Sequence, residues 1–429
     1  MPGRLALVVP KFPRASETFI VNKFLGLLER GWDVHVVCDR SDGPEWRRFP
    51  QLRAVPNIRP RVHRTWPHQP RWEAAMMAPA AFLGSFVAAP GATATYVSRG
   101  GRRFGLDVLR RLYLDAVLVG LKADIVHFEF GALAAKRMHL AQLLDAPIVV
   151  SFRGYDLNYV GLDEPGYYAE VWRGASALHF LGEDLWQRAR RRGCPSEKPH
   201  FLIPPAIDTE FFAPGASRVA DAGRPLRILS VGRLEWKKGY EDALIAVQLL
   251  GDRGIPCEYR IVGDGSFLGA VAFGRHQLGL EDVVTFLGEA DRETVRAEML
   301  QADVFLHAAV SEGFCNAVLE AQATELPVVC TDADGLRENV EDGVTGFVVP
   351  RRNPPALAAA LARLAPDPAR RRLMGEAGRR RVVSRFRLED QISAFDALYR
   401  TVLEKGPNAE TDPDVSEARP LQAGSGRRS

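Results

Sequence analysis

Glu312 and Glu320 stand with seven residues between them in segment 311–329, SEGFCNAVLEAQATELPVV. Gly313 permits a tight turn, after which the amides of Phe314, Cys315 and Asn316 are expected to open a helix. Unpaired N–H donors and the positive end of the helix dipole make such a turn an anion site. Glu312 precedes the helix and Glu320 is placed about two turns into it, so the carboxylates reach hydroxyls on opposite sides of a bound diphosphate. Two acids flanking a phosphate cradle suit a nucleotide sugar. Helical glutamates are more often solvated surface charges. What favours a ligand here is the order of Gly-aromatic turn, apolar Val318 and Leu319, and strand 327–330, the order a strand-end site requires.

A second cluster, Gly232, Arg233, Lys237, Lys238 and Gly239, follows the apolar run LRILSV. An arginine at the strand's end and two lysines before the next helix would neutralise a leaving diphosphate, each charge-assisted contact contributing roughly 1.5 to 3 kcal/mol. Without the Glu312 segment, the same residues read as a solvated basic turn. Asp332, Ala333 and Asp334 spell DxD, a pattern that holds manganese in metal-dependent transferases of another fold. They are read as a loop, because fixed cations already supply the metal's electrostatics. No metal and no cofactor are expected.

The elements that must position these residues come in two rounds. Apolar runs at 5–10, 34–39, 124–130, 147–152, 177–181 and 200–207 alternate with helical lengths, the first helix running over 16–30. Continuous rather than alternating apolar strands imply a parallel sheet covered on both faces. The pattern restarts at 226–232, 259–263, 283–288, 303–309, 327–330 and 345–350. The expected organisation is an α/β chain of two Rossmann-like doubly wound domains facing a central cleft. A first domain spans 1–212, a linker 213–224, a second domain 225–385 and a C-terminal helix 386–405. The tail 406–429 has almost no apolar content and is expected to be disordered.

Composition narrows the partners. The net charge of +3 and the absence of zinc spacing or an aromatic-basic stripe argue against nucleic acid. Five scattered cysteines, an odd number without a CxxC pair, read as reduced thiols of a cytoplasmic protein. The N-terminus reads as a first strand and not as a signal peptide. Residues 74–98 carry no charge, but Pro79, Gly84, Pro90 and Gly91 interrupt them, so a buried or interface-facing segment is expected over a spanning helix. Around them a basic insertion, 46–115, holds twelve arginines against three acidic residues, beside Trp46, Trp66, Trp72 and Phe82. Peripheral contact with an anionic membrane at the inner face of the cell and an arginine-rich loop region are both open readings.

The set GRLEWKKG, IVGDGSFLGAV, VTFLGE, ADVFLHAAVSEGFCNAVLEA and ELPVVCTDADGLRENVEDGVTGFVVP resembles, in order and spacing, the C-terminal half of the retaining GT-B glycosyltransferases of family four. In the first half, KFPRASETFI, HFEFG and SFRGYDL are similar to the exopolysaccharide enzymes of the colanic-acid type. The resemblance implies that Arg233 and Lys238 bind the donor diphosphate and that Glu312 meets the donor sugar. It places phosphate on the backbone of Phe314 to Ala317 and the ribose on Glu320. Relatives usually carry histidine where this chain has Arg153, and arginine cannot act as an acid or base near neutral pH. His127 and Asp156 are acceptor-side candidates that also read as ordinary strand-end residues. Ser16 reads as a helix cap and Glu17 as an acceptor contact. The implied activity is a metal-independent hexosyl transfer from a UDP- or GDP-sugar, with retention, to a glycan or polyprenyl-diphosphate-linked acceptor in cell-surface polysaccharide assembly. The rivals are a nucleotide-sugar epimerase and a non-catalytic nucleotide-binding scaffold. A nicotinamide dehydrogenase is disfavoured, since neither first strand leads into GxGxxG.

Overall fold

A computed structural model describes residues 2–14, 17–67, 70–215 and 223–406. Ser16, most of the 213–224 linker and the tail beyond 406 lie outside the described residues. The first sheet has seven parallel strands: β1 (Arg4–Lys11), β2 (Asp33–Arg40), β3 (Val62–Arg64), β4 (Ile125–Phe128), β5 (Ile148–Phe152), β6 (Ala177–Phe180) and β7 (His200–Leu202). Their spatial order is β3-β2-β1-β4-β5-β6-β7. The second sheet comprises β8 (Leu226–Val231), β9 (Cys257–Val262), β10 (Val284–Gly288), β11 (Val304–His307), β12 (Val328–Thr331) and β13 (Gly346–Val349), ordered β10-β9-β8-β11-β12-β13.

Helices on both faces explain the apolar runs. Leu5, Leu7 and Val9 pack with helix Thr18–Glu29, while Ala6 and Val8 face the opposite layer, so every position of β1 between them is buried. Strand order reverses between β1 and β4 in one sheet and between β8 and β11 in the other. At such a switch the connections leave in opposite directions and open a crevice at the carboxyl ends of the strands.

Two features depart from the sequence reading. The 46–115 stretch contributes the edge strand β3, paired with β2 through Val36↔Val62, so it belongs in part to the sheet. Its short, half-buried VHR carries too little apolar signal to be recognised. The C-terminal helix Leu388–Lys405 returns to the first sheet, where Ile392, Phe395, Leu398, Tyr399 and Val402 join Leu5, Leu7 and Phe24 in one core. Trp32 Nε1 donates to Asp396 at 2.7 Å and fixes that return.

Candidate active site

The loops after β1, β4, β8 and β11 open onto one cavity of about 380 Å³ between the sheets. Gly232, Arg233, Lys237, Lys238, Glu312 and the stretch 313–317 line it on one side. Arg14, Glu17, Phe19, Lys23, Phe130 and Arg153 line it on the other.

On the first of these sides, the short 3-10 turn Trp236–Lys238 ends at Gly239, where φ is +65°. A Cβ there would lie 2.0 Å from the Ala308 carbonyl, so glycine is what lets this turn press against the end of β11. The Lys237 carbonyl then accepts from the Val310 amide at 2.8 Å, which ties the two loops together. The result is an ion pair between Lys238 Nζ and Glu312 Oε2, with both side chains about 13% exposed. His307, the last residue of β11, places Nε2 3.5 Å from the same Glu312 oxygen. Burial alone would push Glu312 up, but Lys238 and His307 outweigh it and hold the carboxyl far below the usual range. Burial opposes protonation of His307, yet its Cys315 and Glu312 neighbours raise it to about 9. Cys315 moves the other way: His307 and Lys238 overcome its burial and lower the thiol.

Helix Asn316–Ala323 starts two residues later than the sequence suggests. The Cys315 amide is taken by Asn339 Oδ1 at 3.1 Å, and the Asn339 amide returns a bond to the Cys315 carbonyl at 3.0 Å. Cys315 therefore offers no amide to a ligand. Phe314, Asn316 and Ala317 keep amides without a partner among the described residues, as the opening of a helix requires. With Lys238 and the exposed Arg233, they line one wall with cations and free N–H donors, an arrangement suited to an anion.

The opposite wall rests on a buried carboxylate. Glu129 is fully buried and pairs with both Lys23 and Arg153, the latter at 3.0 Å. Burial brings Lys23 down to about 8 against the pull of Glu129. Arg153 is further fixed by its guanidinium over Phe19, 3.8 Å from the ring centre. Glu17 pairs with Arg14 at 2.8 Å, and burial raises its carboxyl in spite of that partner.

The structure thus brings Gly232, Arg233, Lys238, Glu312, Gly313, Phe314, Cys315, Asn316, Ala317, Glu17 and Arg153 to one cavity. Three other sequence candidates stand elsewhere. Glu320 sits one turn into its helix rather than two, partly accessible and outside the cavity wall, and burial pushes its carboxyl up to about 7 although Arg292 opposes. His127 is fully buried behind the site, with Nδ1 2.6 Å from Tyr399 Oη and Nε2 2.7 Å from Ser151 Oγ. Asp156 is turned into the fold, where its carboxylate accepts from the amides of Ala132 and Arg153, both at 2.9 Å. Both polar groups are consumed by neighbouring elements, a pairing that no local pattern in the sequence reveals.

The DxD carboxylates are engaged as well. Asp334 accepts from Ser311 Oγ at 2.8 Å, the Glu312 amide at 3.1 Å and Asn158 Nδ2 at 3.1 Å, and pairs with Arg188. It thereby joins the two domains directly under the Glu312 loop. Asp332 accepts from the Arg351 amide at 2.8 Å and pairs with Arg337. At the same junction Gly154 and Gly313 meet backbone to backbone, and a Cβ on Gly313 would lie 2.7 Å from Gly154. His307, Glu312 and Cys315 converge closely enough to hold a metal ion, although Lys238 already occupies a Glu312 oxygen. Sequence reasoning missed Lys23, Glu129 and His307. The HFEFG motif and the strand-end position of His307 were the available signals.

A model of the family described as glycosyl transferases group 1 matches residues 218–381. The chain is 29% identical to WcaL of Salmonella typhimurium, named for colanic acid biosynthesis, over 84% of this chain and 90% of that one. It is 30% identical to a GDP-mannose-dependent alpha-(1-6)-phosphatidylinositol monomannoside mannosyltransferase of Mycobacterium tuberculosis, over 62% of this chain and 73% of the relative. Among solved structures, sucrose-phosphate synthase of Thermosynechococcus elongatus superposes with a TM-score of 0.71 at 19% identity, covering 94% of this chain and 99% of that one. HepE of Anabaena, in complex with UDP, gives 0.69 at 15% identity, covering 93% and 99%. The two facing parallel sheets are the GT-B fold.

Proposed function

The chain belongs to the group 1 glycosyl transferases, and we propose that it moves a hexosyl group from a UDP- or GDP-sugar to a glycan or polyprenyl-diphosphate-linked acceptor, with retention of configuration. The relative named for colanic acid biosynthesis supports a role in polysaccharide assembly. HepE, solved with UDP and with UDP-glucose, supports a nucleotide-sugar donor, and the GDP-mannose-dependent relative keeps GDP beside UDP.

One observation carries the reading. Arg233 and Lys238, in the loop after β8, stand beside Glu312 and the free amides of helix Asn316–Ala323 on one wall of a cavity at the strand ends. In the proposed reaction the bond between the sugar's anomeric carbon and the phosphate oxygen breaks, and its electrons leave with the diphosphate. Arg233, Lys238 and the helix amides stabilise that charge, which removes the need for a metal ion. The acceptor oxygen bonds to the same face of the sugar, and its proton passes to the departing phosphate oxygen. Glu312, kept ionised by Lys238 and His307, accepts hydrogen bonds from donor-sugar hydroxyls. Glu320, one turn along the same helix and partly accessible beyond the cavity wall, is assigned to the ribose, which would extend from the diphosphate past that wall. Arg153 and Glu17 form the sugar and acceptor wall, where Arg153 donates hydrogen bonds but moves no proton.

Donor turnover without acceptor tests this. Incubation with UDP- and GDP-hexoses is expected to release nucleoside diphosphate slowly, with the sugar first appearing by NMR in the donor's anomeric form. Release of the opposite anomer would refute retention, and release from none of the donors would favour a binding scaffold.

A further inference from the structure

Helix Arg71–Ala88 is apolar on its outside. Trp72 is 66% exposed, Met76 72%, Leu83 65%, Phe86 55% and Val87 73%. Trp72, Met76, Leu83 and Phe86 follow one another at helical spacings of four, seven and three residues, with Val87 beside Phe86, so the five share one face of an 18-residue helix. The opposite side of the same helix is occupied: Ala74, Ala78, Ala81 and Phe82 pack on Tyr113 and Ala116 of helix Asp107–Leu121. The stripe is therefore not a core face awaiting its partner within the domain. Isolated exposed leucines need no explanation, whereas five large apolar side chains in a continuous row do.

The surroundings identify the occupant. Helix Pro90–Phe104 follows at a bend of 120°, and no single helix among the described residues is long and apolar enough to cross a membrane. Leu106, 87% exposed, lies at the turn into helix Asp107–Leu121. Arg71 and Arg102 are exposed on helices Arg71–Ala88 and Pro90–Phe104 and make no ion pair among the described residues, and neighbouring Arg103 bonds only to the neutral Gln142 and lies over the Phe104 ring. A second copy docked through the same face would gather the arginines of both copies at one contact, where like charges repel. An anionic lipid surface satisfies both halves of the pattern, since acyl chains take the stripe and phosphate headgroups take the arginines.

We propose that helix Arg71–Ala88 lies in the plane of an anionic bilayer surface, with its Trp72–Val87 stripe inserted below the headgroups and the neighbouring arginines on lipid phosphate. The docking is separate from the transfer reaction and is measured without it.

Sedimentation with phosphatidylglycerol–phosphatidylcholine vesicles, against phosphatidylcholine alone, provides the test. The intact protein is expected to bind the anionic vesicles at least tenfold more tightly and to lose most of that preference in 1 M salt. M76S/L83S/F86S removes exposed apolar groups and R71E/R102E reverses two charges. Each is expected to reduce binding at least tenfold, with thermal unfolding and acceptor-free donor hydrolysis unchanged. Failure of the intact protein to bind anionic vesicles would overturn the proposal, as would equal binding by the triple variant. A concentration-dependent dimer in sedimentation equilibrium that the triple variant abolishes would assign the stripe to a second copy instead.

Discussion

Replacing Lys238 with methionine keeps the length of the side chain and removes its charge from the two jobs assigned to it. In the free protein, the ammonium neutralises Glu312, and both side chains are about 13% exposed. Removing one partner of a buried pair costs about 3 to 5 kcal/mol. Here His307 remains 3.5 Å from the stranded carboxylate, and the pair keeps some solvent. The expected loss of unfolding free energy is therefore about 2 kcal/mol, read as a fall of about 4 to 8 °C in Tm. During turnover the same ammonium is to stabilise the departing diphosphate, and loss of one preorganised contact of that kind lowers turnover about a hundred- to a thousandfold. Glu312→Gln separates the jobs. The double variant K238M/E312Q leaves no uncompensated charge, so it is expected to regain most of the lost Tm while remaining inactive. The assay is nucleoside diphosphate release at saturating donor, beside thermal unfolding of all four proteins. A folded K238M protein with turnover within threefold of the parent would refute the assignment of Lys238 to the leaving group. Equal Tm for the single and double variants would refute the electrostatic account of the pair.

Other outcomes follow from the same geometry. Glu320 has a folded pKa of about 7 against an ordinary 4.5, so its contribution to stability is present below about 4.5 and is lost as pH rises through 7. If ribose hydroxyls bond to the ionised form, affinity for the sugar nucleotide should rise about tenfold from pH 6 to pH 8, and E320Q should flatten that rise in calorimetry. EDTA is expected to leave activity intact, whereas a strict manganese requirement would return Asp332 and Asp334 to the role of metal ligands. D334A removes the acceptor shared by Asn158, Ser311, Arg188 and the Glu312 amide, and should cost about 3 kcal/mol in denaturant unfolding. Cys315 lines the cavity beside His307 with a lowered thiol pKa, so iodoacetamide should label it faster than buried Cys330, and bound nucleoside diphosphate should slow the labelling.

What could be read from the sequence was what is local. Buried parallel strands announce themselves by unbroken runs such as LALVV and LRILSV, and the turn at Glu312 by its glycine and aromatic. That Arg233, Lys238 and Glu312 come together was legible for the same reason, because each lies in a loop that follows a strand and such loops converge in this architecture. Long-range pairing was not. Nothing near His127 signals that Tyr399, 272 residues away, takes its Nδ1. Nor does the DADG sequence show that Asp334 is spent on Asn158 and Arg188 of the other domain. Glu129 reads as one more charge in HFEFG, yet it is the buried anion on which both Lys23 and Arg153 depend. The exposed stripe of helix Arg71–Ala88 was visible only as a stretch without charge, since composition does not say which face of a helix finds a partner.

In the proposed donor complex a nucleoside diphosphate sits between Arg233, Lys238 and the opening of helix Asn316–Ala323. A thermal-unfolding panel with UDP, GDP, ADP and their common sugar conjugates tests it on the intact protein and on K238M, since a ligand of the folded state raises its stability. One nucleotide class is expected to shift the parent, by about 2.7 kcal/mol at a hundredfold excess over its dissociation constant, and K238M to lose most of that shift. No shift with any nucleotide, or an undiminished shift in K238M, would contradict that placement.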